Sequence, residues 1–459
     1  MAEARAGGTA GWMPVWVAGG TMLAAALAAA TLRSAGLPPS AATGIVSAAA
    51  AGGLAATVHR RRKAGPWTRV GRRSAFPWDT VRLNAEDRLR HLHCIGPSGS
   101  GKTTSVLAPL LAQDVAAGSG VTVLELKGGE LCRTARRCAA AAGRTVLEWD
   151  PASPDSLCWN PLAHPGPECG ERLLFALQRA GGPTSAASEY YAAVGGAVLR
   201  HSVQAFQAAG APLDLARLRG FLLEAPARQA ILRQVADPDT IGYFHHVFDA
   251  WRPDERLRNV QALTSAIDTL LVHPFVRRSL CPPPDAPQID LDRCLNEGAI
   301  LLVTLPLGGM LRQATALGAF LLATLQAAAY ARPDGGPLHY IYLDEFQQFA
   351  GPGFGDFLAL ARSHRVGVVL AHQNLAQLRQ AGGEPLQETV MANTRTTVLL
   401  RCDGPDARAF STWLPPRRGR HWRPEDLVGL PFGSAVVRTA AGRDLPRADI
   451  VRMRYRHQP

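Results

Sequence analysis

A chain of 459 residues is too long for one small core, and its 49 Lys and Arg against 37 Asp and Glu leave a formal charge of +12. That balance argues against an acidic, solvating chain and suits an anionic partner, either nucleic acid or anionic lipid, or simply a basic surface. The eight cysteines (Cys94, Cys132, Cys138, Cys158, Cys169, Cys281, Cys294 and Cys402) form no C-x-x-C pair, so neither a zinc site nor a disulfide framework is indicated.

The first segment is apolar. Residues 12–32 carry no charge until Arg33, and the span is close to the ~20 residues that cross a bilayer. Residues 41–58 are again uncharged, and His59-Arg60-Arg61-Arg62-Lys63 follows at once. The positive-inside rule places that cluster in the cytoplasm, so residues 1–63 read as a two-helix membrane anchor with both chain termini inside. The cations themselves suit a membrane-surface anchor better than a nucleic-acid site.

From residue 64 onward the pattern is that of an α/β protein. Strand-length apolar runs recur at His91–Ile95, Val121–Leu126, Thr145–Trp149, Ala299–Leu305, Tyr340–Leu343, Val366–Ala371 and Thr396–Arg401. Helical patterns separate most of them, among them Thr104–Ala117, Arg133–Ala142 and Ala314–Ala331. Alternation of this kind predicts a mainly parallel sheet covered on both faces. One long stretch breaks it. Residues 163–285 are almost entirely helical, clearest at Glu189–Ala209 and Leu257–Leu271, and end at Cys281-Pro282-Pro283-Pro284. The expected organisation is therefore an anchor (1–63), a first part of a nucleotide-binding domain (64–162), an inserted all-α subdomain (163–285), and the rest of the nucleotide-binding domain (286–459).

Gly96-Pro97-Ser98-Gly99-Ser100-Gly101-Lys102-Thr103 fits G-x-x-x-x-G-K-[ST] between an apolar strand and an apolar helix. Backbone N–H groups of such a loop, continued by Thr104, close around phosphate oxygens at a helix N-terminus. Lys102 would reach the β and γ phosphates, and the Thr103 hydroxyl would ligate Mg²⁺. A P-loop ATPase also needs a carboxylate for the Mg²⁺ shell and a group that orients water. Tyr340-Ile341-Tyr342-Leu343-Asp344-Glu345 offers Asp344 for the first and Glu345 for the second. A Glu directly after the Asp favours hydrolysis over transfer to a small molecule. Gln373 leaves the strand after Val366–Ala371 and is placed either to sense the γ-phosphate or to start the next helix. Arg362 and Arg365 precede that strand and could stabilise transition-state charge in a neighbouring subunit.

The ordered set resembles the coupling-protein ATPases of type IV secretion and conjugation, the TraG/TraD-like branch of the FtsK–HerA motors. The matching pieces are the two apolar spans, RHLHCIGPSGSGKTTSVLAPLL, VTVLELKGGEL, DPASPDSLCWNPL, the helical stretch, GAILLVTLPLGG, IYLDEFQQF, RVGVVLAHQNLAQL and ANTRTTVLLR. The resemblance implies a RecA-like P-loop motor, an inner-membrane ATPase with ATP and Mg²⁺ that forms a homohexamer and pumps DNA. Its partners would be single-stranded, sequence-tolerant DNA or nucleoprotein, relaxase-type proteins and a secretion channel. It assigns catalysis to Lys102, Glu345, Gln373 and Arg362, with Arg365 as the alternative trans-acting arginine, and Mg²⁺ to Thr103 and Asp344. The family's D-P-K-G-E appears as Glu125-Leu126-Lys127-Gly128-Gly129-Glu130, which puts the contacts of Glu125 in question. A nucleoprotein receptor that uses ATP for assembly, and a DNA-segregation translocase, are the competing functions.

Overall fold

The computed structural model describes residues 68–73, 80–126, 129–164, 166, 168–181, 187–305, 310–351, 353–439 and 447–453. The two apolar spans and Lys127 lie outside the described residues. Among the described residues, no helix is long and apolar enough to cross a membrane.

Eleven strands form one sheet: β1 (Thr68–Arg73), β2 (Thr80–Leu83), β3 (Leu92–Ile95), β4 (Gly120–Glu125), β5 (Val146–Trp149), β6 (Ile300–Thr304), β7 (His339–Asp344), β8 (Val366–His372), β9 (Thr396–Leu399), β10 (Ser434–Thr439) and β11 (Arg447–Met453). Their spatial order is β2-β1-β11-β10-β9-β3-β8-β7-β4-β6-β5. From β9 to β5 the pairing is parallel. From β2 to β10, and at the β10–β9 junction, it is antiparallel.

The seven apolar runs in the sequence are the seven parallel strands. All but the edge strand β5 are buried on both faces, and they read as continuous hydrophobic stretches. Strands β1, β2, β10 and β11 were not expected. In β1, β2 and β11 exposed Arg interrupts the buried residues, and β10 has only three apolar residues among Ser434, Arg438 and Thr439, so the strand signal is weak in all four.

Helices cover both faces. Leu107, Leu110, Leu111 and Val115 from the helix after the P-loop, with Leu131, Cys132 and Ala135 from helix Glu130–Ala141, bury one side of the sheet. On the other side, helix Leu311–Tyr330 and the helical stretch between β5 and β6 share one apolar core with β6, β7 and β8. Trp149 meets Trp159 edge-on at 4.9 Å, and Trp159 meets Phe320 at 5.7 Å, so aromatic contacts run from the end of β5 to that helix.

In one respect the expected helix after the P-loop needs correction. Residues Lys102–Leu107 wind as a π-helical turn, and the α-helix proper is Ala108–Ala116. The wider turn lies where the backbone of the phosphate loop opens, a frequent position for π-turns at functional sites.

Candidate nucleotide site

Strand β3 pairs with β8 and β9 in register, Ile95 opposite both His372 and Leu399, so the loop from Gly96 leaves the carboxyl edge of the sheet centre. Gly96 is fixed by close approach: a Cβ there would lie 2.8 Å from that of Leu400 and 2.7 Å from the Ser100 hydroxyl. Gly101 has φ +90°, a conformation costly for any residue with a side chain, and it turns the chain into the helix. The Lys102 ammonium is buried and donates to the carbonyls of Gly96, at 2.7 Å, and Pro97, at 3.3 Å. Ser98 and Gly99 stand exposed at the tip of the loop, with Ser100 and Thr104 half-buried.

Two strands away, β7 delivers the acidic pair. The Thr103 hydroxyl donates to Asp344 Oδ2 at 3.5 Å, which joins the P-loop to the carboxylate strand. Glu345 sits at φ +53°, a left-handed conformation that is strained for Glu and is common where a site is held in a set geometry. Its side chain is buried and accepts from two amides: Gln373 Nε2 at 3.0 Å on Oε1 and Gln347 Nε2 at 2.9 Å on Oε2. The residue that caps helix Leu375–Asn393 is Asn374, whose side chain accepts from the Gln377 N–H. Gln373 is thus committed to Glu345, not to the helix start.

The structure therefore brings together Gly96 to Thr104, Asp344, Glu345 and Gln373. Arg362 and Arg365 are not among them. Both lie in the turn before β8, and β8 runs parallel to β3, so they occupy the opposite edge of the sheet from Gly96. Arg362 pairs with Glu86 at 3.2 Å on the surface, and the Arg365 carbonyl accepts from His339 N–H. Glu125 has its own task. Its carboxylate accepts the N–H groups of Glu130, Leu131 and Cys132 at 3.0–3.4 Å and so caps helix Glu130–Ala141. Burial raises its pKa, and those backbone bonds oppose the rise.

Several contacts were missed by sequence reasoning. Gln347 lies within the quoted IYLDEFQQF but carried no role. Arg179, from helix Cys169–Gly181, donates to the carbonyls of Gln348 and Ala350, each at 2.5 Å, and grips the chain just beyond Glu345. Phe432, two residues before β10, is 67% exposed, with its ring 3.7 Å from where a Cβ on Gly101 would be. It flanks the P-loop on the β9–β10 side, away from Asp344 and Glu345. Only long-range topology places it there, so no local signal could have found it.

Beneath the loop, His93 and His372 stack with Nε2 atoms 2.5 Å apart. His372 Nδ1 faces the Asn374 carbonyl at 2.8 Å and must donate to it. Its Nε2 is then the acceptor and that of His93 the donor, so both rings are neutral. Burial lowers His372 to about 4, lowers His93 well below its usual value, and lowers His91 and His339 to about 4 and about 3. Unfolded histidines bind protons near 6.5, whereas these take them up only at lower pH. Their contribution to stability is present above 6.5 and is lost as pH falls toward 4. The thermal midpoint should drop across that window, and His339→Gln should flatten part of the drop. A midpoint independent of pH there would exclude neutral burial.

As a donor set, the Thr103 hydroxyl and Asp344 carboxylate fit Mg²⁺. That ion takes one or two protein oxygens and leaves the remaining positions to phosphate and water. Among the described residues no group of three or more His, Cys, Asp or Glu could hold a metal alone.

Two family models match the chain. One, described as the type IV secretory system conjugative DNA transfer family, covers residues 53–167 and so includes the P-loop. The other, described as the TraM recognition site of TraD and TraG, covers residues 338–418, from β7 past Gln373. No curated protein matches. Among solved structures, the plasmid coupling protein TrwB in complex with the non-hydrolysable ATP analogue ADPNP aligns with a TM-score of 0.62 at 18% identity, over 83% of this chain and 89% of that one. TrwB in complex with ADP and Mg²⁺ aligns with the same score and identity, over 82% and 88%. VirB4 of Thermoanaerobacter pseudethanolicus gives 0.55 at 13% identity, over 86% and 97%. At these identities the structural likeness establishes a shared fold.

Proposed function

We propose that this chain, TraG/TraD-like by its two family matches and its fold, is an ATP-driven motor that passes DNA or nucleoprotein to a secretion channel at the inner membrane. The observation that carries the reading is the Glu345 carboxylate, buried at the end of β7 and held by Gln373 from β8 beside a P-loop joined to Asp344. A receptor that used nucleotide only for assembly would have no need of a base fixed by two amides.

ATP and Mg²⁺ are the ligands the site would take. Lys102 and the loop N–H groups would hold the phosphates, while Thr103 and Asp344 would hold Mg²⁺, which supplies charge neutralisation of the phosphates when bound. Glu345 accepts a proton from water, and Gln373 keeps the carboxylate aimed. Gln373 also ties Glu345 to the strand nearest the P-loop, so a change at the γ-phosphate position is felt in β8. Arg179 links the helical subdomain to the same loop and gives cargo binding a route to Glu345. DNA contacts in such a ring would go mostly to phosphates and be tolerant of sequence.

The ATPase rate of the chain with and without single- and double-stranded DNA tests the proposal. Stimulation by DNA is expected. Hydrolysis unaffected by either form at any concentration would remove DNA as cargo, and no hydrolysis at all would remove the motor.

Phe432 is assigned to the base. The phosphates end near Asp344 and Glu345, so the nucleoside leaves on the β9–β10 side, where this ring stands. Phe432→Ala should weaken ATP binding about tenfold, within the 1–3 kcal/mol range of base–aromatic stacking. Binding of inorganic tripolyphosphate, which has no base, should be unchanged. Equal losses for both ligands would mean that the ring shapes the loop instead.

A further inference from the structure

At the outer end of the sheet, β2, β1 and the end of β11 have one face packed and one exposed, whereas further along β11 and β10 that second face is buried by Val436 and Ala448. Val70, Val81, Leu83, Val451 and Met453 face the helix after the P-loop and are buried. The opposite face of the same strands carries Arg69, Arg72, Arg82 and Arg452, all exposed. Pairing puts them directly across from one another: Arg69 opposite Arg82, and Arg72 opposite Arg452. The irregularity between Arg69 and Gly71 is what brings Arg69 and Arg72 to one face, since it lets two residues of β1 oppose one of β2.

Two like-charged pairs facing each other across strands destabilise a sheet. No ion pair engages any of the four among the described residues, and the other described residues of this face at these pairings are Thr80 and Ser434. Asp449, the nearest acidic residue on β11, points to the packed side and pairs with Arg73. Among the described residues, four guanidinium groups thus stand in one layer with no anion paired to them. Guanidinium forks bind phosphate through paired N–H donors.

Chain order says which phosphate. β1 begins at Thr68, five residues after Lys63, which closes the Arg60–Lys63 run that follows the uncharged residues 41–58. We propose that the exposed face of β1, β2 and β11 docks on an anionic membrane surface and binds lipid phosphates through Arg69, Arg72, Arg82 and Arg452. The inference rests on the membrane part of the reading above but not on ATP hydrolysis. It gives the sheet a second point of attachment, beyond the covalent link through residues 64–67.

The full chain in neutral detergent is the starting point. Adding phosphatidylglycerol should raise its melting temperature, because a ligand of the folded state stabilises it. Adding phosphatidylcholine should not. The double variant Arg72→Gln/Arg452→Gln relieves a like-charge pair, so it should fold at least as well as wild type, and it should lose most of the phosphatidylglycerol shift with Arg60–Lys63 intact. Arginine-specific labelling by phenylglyoxal in nanodiscs provides the independent readout. The four arginines should be several-fold less labelled in discs containing phosphatidylglycerol than in phosphatidylcholine discs. Equal labelling in both discs, or a full lipid shift in the double variant, would overturn the proposal. So would protection by single-stranded DNA in neutral discs without protection by anionic lipid, which would make this a nucleic-acid face. If the wild type showed no response to any lipid in discs, or did not insert, the membrane reading itself would fail.

Discussion

Glu345→Gln should abolish ATP hydrolysis while leaving ATP binding close to the wild-type value. The geometry makes this a narrow change. Gln347 and Gln373 each donate to one Glu345 oxygen, and a glutamine keeps the size of the side chain while removing the charge that accepts a proton. One of the two donors then faces an amide nitrogen, so some reorientation follows, but the P-loop contacts of Lys102 and Thr103 are untouched. Loss of a positioned base costs about 10²–10⁴ in rate. Lys102→Ala should behave differently, because it removes a phosphate contact and weakens binding itself. Gln373→Ala should fall between these, with a reduced rate and normal affinity, since the carboxylate would persist with one of its two restraints gone. Single-turnover hydrolysis and equilibrium binding of labelled ATP separate the three. Near-wild-type turnover by Glu345→Gln would exclude the base role.

Much of this site is legible in sequence because its parts are local. Gly96 to Thr104 form one loop, and Asp344 and Glu345 end one strand whose run of apolar residues announces it. Parallel pairing then follows from the strand–helix alternation, and the order puts β8 beside β3 and β7 one strand further. What the sequence left open depends on contacts between distant segments. Whether Gln373 starts a helix or turns to Glu345 is a choice between two nearby polar partners, and Asn374 one residue later settles it by taking the cap. The role of Glu125 was open for a similar reason. Its extra methylene is compatible with several contacts, and only the position of helix Glu130–Ala141 selects capping. Phe432 lies 331 residues from Gly101, and Arg179 lies 169 residues from Gln348, whose carbonyl it holds. β1, β2 and β11 were hidden because exposed arginine between buried residues reads as loop. That same alternation becomes informative only when the register shows arginine facing arginine.

Arg362→Ala should lose most of the hydrolysis rate in an assembled ring while each subunit still binds ATP. The reason is where Arg362 sits. It precedes β8, whose seven residues run toward the P-loop edge, so about 23 Å of strand separates it from its own Gln373 at ~3.3 Å per residue. No arginine side chain spans that distance, so any part Arg362 takes in hydrolysis would be at a site in another chain. Its present partner does not prevent this. The pair with Glu86 is half-exposed on both sides, and exposed pairs hold little. An arginine that reaches the transferring phosphoryl group from a neighbour contributes about 10³–10⁵ in rate. Hydrolysis should accordingly rise steeply with protein concentration, or with DNA that gathers subunits. Mixing Arg362→Ala with Glu345→Gln chains is the sharper test. In mixed rings some interfaces join an intact Glu345 to an intact Arg362 of the next subunit, so part of the activity should return from two inactive proteins. If mixed rings form and stay inactive at every ratio, action in trans is excluded. If Arg362→Ala alone keeps full activity, the assignment passes to Arg365, which shares the same turn and the same edge of the sheet and carries a left-handed backbone at φ +57° that fixes its direction.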